Sequence, residues 1–182
     1  MICDNTIIGR VVDLTSVTEE DAGFILGLRT DKKTSKFLNQ TENCLLKQVA
    51  WIQNQMKSSD NYYFLISDKK GEKLGTIALY NLEKDIGEFG RWICTGNSIQ
   101  ALESVILLHD FGFFALGLKS IYSATNYLNK TVINFNKNFG ATFTNEKIIH
   151  KTSGIIMEKA IIESEKYPLI RQKNLAIIDK LI

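Results

Sequence analysis

IGEFGRWICTGNSIQALESVILLHDFGFFALGLKSIYSATNYLNKTVINFNKNFGATF, residues 86–143, reads as strand, polar turn, long apolar helix, second strand and short helix. Ile86–Cys94 is dense in apolar and aromatic residues, and Thr95-Gly96-Asn97-Ser98 breaks it. Ile99–Leu116 is the longest apolar segment of the chain. At its leading end Asn97 can accept from the freed amides, and Gln100 is spaced to reach back and complete a capping box. A helix opening straight off a strand presents unpaired N–H groups and a positive dipole end, which suits a phosphate. Lys119–Thr125 then returns parallel to the first strand, as a helical crossover requires. Asn129–Phe139 is a short helix closed by Gly140, which can take the left-handed conformation that ends it.

Working outward, Gly9–Leu14 alternates weakly and reads as a first strand. Thr18-Glu-Glu-Asp21 is a capping box, so Glu19–Arg29 is expected to be a helix with a cation at its negative end. Residues 30–43 are polar and irregular, a loop long enough to suggest function. Leu45, Val49, Ile52 and Met56 form one helical stripe, with Gln48, Trp51 and Gln55 on the adjoining face. Tyr62–Ser67 and Leu74–Leu82 are strands joined by a hairpin turn containing Gly71, and Glu83-Lys-Asp makes a second turn into Glu88. Past Gly140, Thr142–Lys147 and Ser153–Ile162 read as an antiparallel pair. Pro168 can open a last helix whose Leu169, Leu175, Ile178 and Leu181 can cover a sheet edge or a partner subunit, hinting at a homodimer.

At 182 residues the chain suits one domain, 1–182, with a full core. Its net charge of +2, with both signs mixed, gives no electrostatic case for nucleic acid as a partner. No apolar run reaches the roughly 18 residues that span a bilayer. The N-terminus lacks a basic region followed by an apolar stretch, so a cytoplasmic protein is expected. Cys3, Cys44 and Cys94 have no metal-binding or disulfide-framework spacing and suit reduced thiols. With two histidines besides, no metal is expected. His109-Asp110 lies inside a helix, where adjacent residues point apart, so a His–Asp relay is not expected, and His150 stands alone. Ile106, Leu107, Leu108, Phe111, Phe113 and Phe114 read as core, and nothing basic is placed to activate Cys94.

Several of these residues carry a resemblance to the GNAT superfamily of acyl-CoA N-acyltransferases. They are Glu88-Phe-Gly-Arg-Trp-Ile on a strand, Ala101-Leu-Glu opening the helix, and Phe113-Phe-Ala-Leu-Gly-Leu118 closing it. Asn129 and Phe139-Gly140-Ala141 stand where the family has its Asn and its glycine turn. The similarity covers residues 9–160. It departs at the pyrophosphate loop, where the family's Q/R-x-x-G-x-G/A meets Gly96-Asn-Ser-Ile-Gln-Ala101 and only the last small residue survives. The resemblance implies an α+β fold with a mixed, mostly antiparallel sheet, a central splayed parallel pair and helices on both faces. It also implies acyl-CoA (acetyl or 3-hydroxyacyl) as co-substrate, its pantetheine arm lying between Glu88–Cys94 and Lys119–Thr125. Trp92, Ile93 and Cys94 would then supply main-chain contacts and an oxyanion donor, Asn97, Ser98, Ile99 and Gln100 the pyrophosphate site, and Asn129 a junction near the pantetheine. The plain alternative is a βα crossover with a polar cap and no ligand.

Acyl transfer needs a neutral amine, a polarised carbonyl and a proton for the thiolate. Glu88 is the candidate base, as the resemblance implies, with strand alternation placing Gly90 and Trp92 on its face. A surface Glu at a strand entrance is the alternative. Where many members carry an acidic tyrosine this chain has Asn136, able to hydrogen-bond a sulfur or merely to cap backbone. The acceptor side falls to Arg29 and the loop after it, Trp51, Tyr80 and Asn81. Leu28-Arg-Thr-Asp31 with Gln48-x-x-Trp51-Ile52 resembles a subgroup that acylates amino groups of dTDP- or UDP-linked deoxy-amino sugars for surface glycans. Arg29, Lys32, Lys33 and Lys36 suit a sugar-nucleotide pyrophosphate, and Trp51 or Tyr80 a base or sugar face. A solvated polar loop beside a core tryptophan is the alternative there. Two other functions stay open: a ribosomal-protein type N-terminal acetyltransferase, against which the basic loop argues, and a non-catalytic CoA-binding module.

Overall fold

The computed structural model describes residues 1, 3, 5–149 and 154–182, without the side chain of Asn145. Strands β1 (Ile7–Ile8), β2 (Val12–Ser16), β3 (Tyr62–Asp68), β4 (Lys73–Glu83), β5 (Ile86–Cys94), β6 (Ser120–Asn126), β7 (Thr142–Ile149) and β8 (Ile156–Glu163) form one sheet. Their order is β1-β2-β3-β4-β5-β6-β8-β7. Neighbours run antiparallel except β5 and β6, which are parallel. Helices α1 (Ala22–Thr30), α2 (Leu45–Lys57), α3 (Ser98–Asp110), α4 (Lys130–Phe139) and α5 (Tyr167–Asp179) connect and cover it. This is the expected mixed α+β architecture.

Alternation along β3 shows why the sheet is covered twice. Phe64 and Ile66 join a core with Val105, Ile106 and Leu108 of α3, Phe139 of α4 and Tyr167 and Ile178 of α5. Tyr63 and Leu65 turn the other way, to Ala22 and Ile25 of α1 and Ile52 of α2. A strand buried on both faces reads as continuously apolar, as Tyr62–Ile66 does. The last helix folds back on its own molecule. Tyr167 Oη donates to Asp110 Oδ1 of α3 at 2.6 Å, and Asn174 Nδ2 to the Phe139 carbonyl at 2.8 Å.

Four expectations change. The strand expected over Gly9–Leu14 lies at Val12–Ser16, and a two-residue strand, Ile7–Ile8, precedes it. Buried Glu103 of α3 accepts from the backbone N–H groups of Arg10, Val11 and Val12, which holds the chain entering it. The helix expected from Glu19 starts at Ala22, after a 3-10 turn in which Thr18 N–H donates to Asp21 Oδ2 at 2.9 Å. The long helix ends at Asp110 and widens into a π turn, Phe111–Ala115. That turn aims Phe111 at Tyr62 and Phe64 and Phe113 at Tyr167, but leaves Phe114 62% exposed rather than in the core. Of the strand expected over 153–162, Ser153 lies outside the described residues, as does His150.

The fourth change is a bulge in β5. Pairing of Thr76 with Ile93 and of Ala78 with Gly90 sets both Arg91 and Trp92 against Ile77. Arg91 takes φ +48°, a left-handed conformation that costs a side-chain residue about 1–2 kcal/mol. The extra residue inverts the alternation, so Trp92 faces away from Glu88 rather than sharing its side. It packs on Phe135 of α4 with ring centroids 4.5 Å apart, and its Nε1–H lies 3.3 Å from Ser104 Oγ of α3.

Candidate active site

β5 and β6 pair only as far as Glu88 opposite Tyr122, although β5 continues to Cys94 and β6 to Asn126. Beyond that point the strands part. Glu88 sits at the fork and is held from three sides. Tyr80 Oη donates to Oε1 at 2.8 Å, Asn81 Nδ2 to Oε2 at 2.7 Å and Tyr122 Oη to Oε2 at 3.1 Å. Burial, reinforced by the Glu88 charge, raises the pKa of Tyr80 and pushes that of Tyr122 up to about 12, so both phenols are donors at neutral pH. Gly90 makes this arrangement possible, since a Cβ there would stand 2.7 Å from Tyr80 Oη.

A cavity of about 940 Å³ surrounds the fork. Arg29, Gln48, Trp51, Tyr80, Asn81 and Arg91 line it on the α1–α2 side, and Ser123, Thr125, Asn129 and Asn136 on the α4 side. Of the expected acceptor residues, Tyr80 and Asn81 therefore touch Glu88, and Arg29 and Trp51 line the same cavity. Lys36 is not part of this lining; its ammonium lies 5.1 Å from the Phe37 ring. Asn136 is buried and donates to Ser123 Oγ at 3.1 Å, and its carbonyl accepts from Gly140 and Ala141. Asn129 caps α4 by accepting from Val132 N–H at 3.3 Å.

A second cavity, about 460 Å³, lies between α3 and α4, with Trp92, Cys94, Ser98, Ala101 and Phe135 in its wall. Trp92 and Val132 border both cavities, so they stand between the two compartments. The slot beside β5 and this cavity suit an extended arm that pairs with backbone. The loop beyond is more fully occupied. Asn97 Oδ1 already accepts from Ile99 N–H at 2.9 Å and Gln100 N–H at 3.0 Å, while Gln100 Oε1 accepts from Asn97 N–H at 2.9 Å. The predicted capping box is present, and it satisfies the amides expected to hold a pyrophosphate, leaving that of Ser98. Ile99 packs against the core, and Ile93 is buried. Burial raises the Cys94 pKa, the wrong direction for a nucleophile.

His109 and Asp110 form no relay. His109 Nδ1 contacts the Val105 carbonyl at 2.8 Å, whereas Asp110 accepts from Tyr167 at 2.6 Å and Arg171 at 2.8 Å. Among the described residues no group of three His, Cys, Asp or Glu is placed for a metal, and no helix is long and apolar enough to cross a membrane. Sequence reading gave no site role to Tyr122 or Arg91 and took Gln48 only as part of the motif with Trp51. The spacing of Gln48 and Trp51 on one helix was visible, but the register that sets Tyr122 beside Glu88 and the bulge that turns Arg91 have no local signature.

No curated protein matches the sequence. Solved structures do. A GCN5-related N-acetyltransferase from Brucella melitensis superposes with a TM-score of 0.82 at 17% identity, over 96% of this chain and 85% of that one. FdhC, a nucleotide-linked sugar GNAT, gives 0.77 at 24% identity over 94% and 97%. The spermidine N-acetyltransferase of Vibrio cholerae, in complex with CoA and spermine, gives 0.76 at 15% identity over 86% and 98%. These likenesses establish the fold. The family model for the acetyltransferase (GNAT) domain matches residues 12–142, more than half of the sequence, and the chain belongs to that family.

Proposed function

We propose that the protein is a cytoplasmic acyl-CoA-dependent N-acyltransferase whose acceptor is the amino group of a nucleotide-linked deoxy-amino sugar, in surface-glycan synthesis. Membership of the family carries N-acyl transfer from acyl-CoA. The acceptor class rests on one observation: Arg29, Trp51, Tyr80 and Asn81 converge on the cavity that holds Glu88. Its volume of about 940 Å³ is at the upper end of the roughly 300–1,000 Å³ usual for small-molecule sites. The likeness to FdhC points the same way. A polyamine would have to enter beside the charges of Arg29 and Arg91, which repel it.

Glu88 takes a proton from the acceptor amine, directly or through a water, and its three donors fix the carboxylate at the fork. Backbone N–H groups of β5 near Trp92–Cys94 polarise the acyl carbonyl, since β5 has no β6 partner there. The arm lies along Trp92, Ile93 and Cys94 toward Asn97–Gln100, with Asn129 at the junction. Asn136, at the inner wall, hydrogen-bonds the departing sulfur. Leu169 and Leu181 stay exposed on and just beyond α5 and offer a surface for a homodimer. A thiol-release assay with acetyl-CoA tests the acceptor class against dTDP- and UDP-linked amino sugars, ribosomal-protein N-terminal peptides and spermidine. Release with the amino sugars is expected. Release only with peptide or polyamine refutes the sugar assignment, and CoA binding without release in any mixture refutes catalysis.

A further inference from the structure

The acceptor cavity holds a charge that the reaction chemistry leaves unexplained. Arg91 is enclosed by aromatic rings, its guanidinium carbon 4.3 Å from the Tyr80 ring centroid, 5.0 Å from Trp51 and 5.8 Å from Tyr63. Its Nη1 donates to Gln55 Oε1 at 2.6 Å. Rings and a neutral amide attract a cation without neutralising it. Arg29, on the same cavity, donates through Nε to Thr41 Oγ1 at 2.8 Å. Neither arginine forms an ion pair among the described residues. Of the carboxylates on the cavity wall, Glu42 pairs with Lys47 at 2.5 Å, and Glu88 accepts from Tyr80, Asn81 and Tyr122 without forming an ion pair with either arginine.

A like-charged pair on a partly dehydrated wall is costly unless an anion meets it. Burial lowers the Arg91 pKa, and the charge of Arg29 acts in the same direction, opposed in part by Tyr80, Tyr63 and Glu88. Gln48 adds an independent sign. It is 6% exposed, lines the same cavity, and its Nε2 has no hydrogen-bond partner. A buried amide left unpaired is uncommon and costs stability unless a ligand completes it. The left-handed backbone at Arg91 is what turns this side chain to the cavity instead of toward α3.

We infer that Arg29 and Arg91, together with Gln48, form a subsite for an anionic group of the acyl acceptor, a diphosphate where the acceptor is nucleotide-linked. The anion-binding subsite stands on the cavity alone, while its assignment to a diphosphate rests on the proposed amino-sugar function. Guanidinium forks match phosphate oxygens in pairs, and two of them suit a diphosphate better than a single carboxylate. The flexible lysines of the 30–43 loop are not needed for this. The subsite lies on the same cavity as Glu88, so it would orient the amine as well as bind the acceptor.

The chain has two tryptophans, Trp51 against Arg91 and Trp92 on the other side of β5, so their indole N–H signals in a nitrogen–proton correlation spectrum report the two compartments separately. Inorganic pyrophosphate added to the full chain is expected to move the Trp51 signal saturably. Arg91→Gln and Arg29→Gln should each weaken that response about tenfold or more, as loss of a charge-assisted contact predicts. If Arg91→Gln lacks a cooperative melt, Arg29→Gln decides. Succinate, run in parallel, separates the two anion sources: a stronger response to it keeps the subsite and overturns the diphosphate assignment. No Trp51 response to either anion, or equal affinity in every folded variant, overturns the subsite itself. Pyrophosphate binding without acylation of any amino sugar would refute the proposed function and leave the subsite. Acylation without anion binding at Trp51 would do the reverse.

Discussion

Replacing Glu88 by Gln should remove the proposed base while sparing the fold, for a reason that lies in its hydrogen bonds. Two donors, Asn81 and Tyr122, converge on Oε2, whereas Tyr80 alone meets Oε1. A glutamine therefore sets its oxygen toward Asn81 and Tyr122 and its amide toward Tyr80, whose hydroxyl can rotate to accept. Exchanging charge-assisted for neutral hydrogen bonds costs about 1–2 kcal/mol of stability. The catalytic loss is larger, because an amide does not take a proton from an amine at neutral pH. General-base catalysis contributes about 10²–10⁴-fold, equal to about 3–5 kcal/mol in the barrier. The loss should fall on kcat rather than on CoA affinity, since Glu88 is not in the wall of the cavity between α3 and α4. Thiol release followed across pH, with calorimetry of CoA binding, measures both. A variant with wild-type turnover at every pH removes Glu88 from the mechanism, and one whose defect lies entirely in CoA affinity assigns it a structural role.

Gly90→Ala should push Tyr80 off Glu88, lowering turnover about tenfold or more if that contact positions the base; an unchanged rate would show that Tyr80 is dispensable. Glu103→Ala strands the three backbone N–H groups at Arg10, Val11 and Val12 and should destabilise the fold by about 3–5 kcal/mol, read from urea midpoints. His109, enclosed by Phe89, Phe113, Phe139 and Tyr167, has its pKa lowered by burial from 6.5 to about 4. Its neutral form is the folded one, so the unfolded chain takes up the proton first as pH falls. Stability should drop from pH 6.5 toward 4 by up to about 3 kcal/mol through this residue. Urea titrations of the wild type and His109→Leu over that window should differ in slope, and parallel curves would contradict the assignment.

The capping box at Asn97 and Gln100, the glycine stop at Gly140 and the alternation of Tyr62–Ile66 are local events, and each was legible in the sequence because the deciding residues lie within a few positions of one another. So was the crossover from β5 through α3 to β6, which dictates a parallel pair. Glu88 could be singled out as a candidate base, but its three donors come from β4 and β6, brought together by strand register alone. Tertiary pairing also inserted Arg91 as an extra residue opposite Ile77, which sent Trp92 to the α3–α4 side and Arg91 to the acceptor side. A one-residue bulge exchanges the faces of everything beyond it, and it depends on the partner strand, not on the bulged segment's composition. The sequence by itself determined the family, the order of elements and the strand bearing Glu88, the proposed base. Only the tertiary structure decided which side chains share the cavity around Glu88, because that depends on register rather than spacing along the chain.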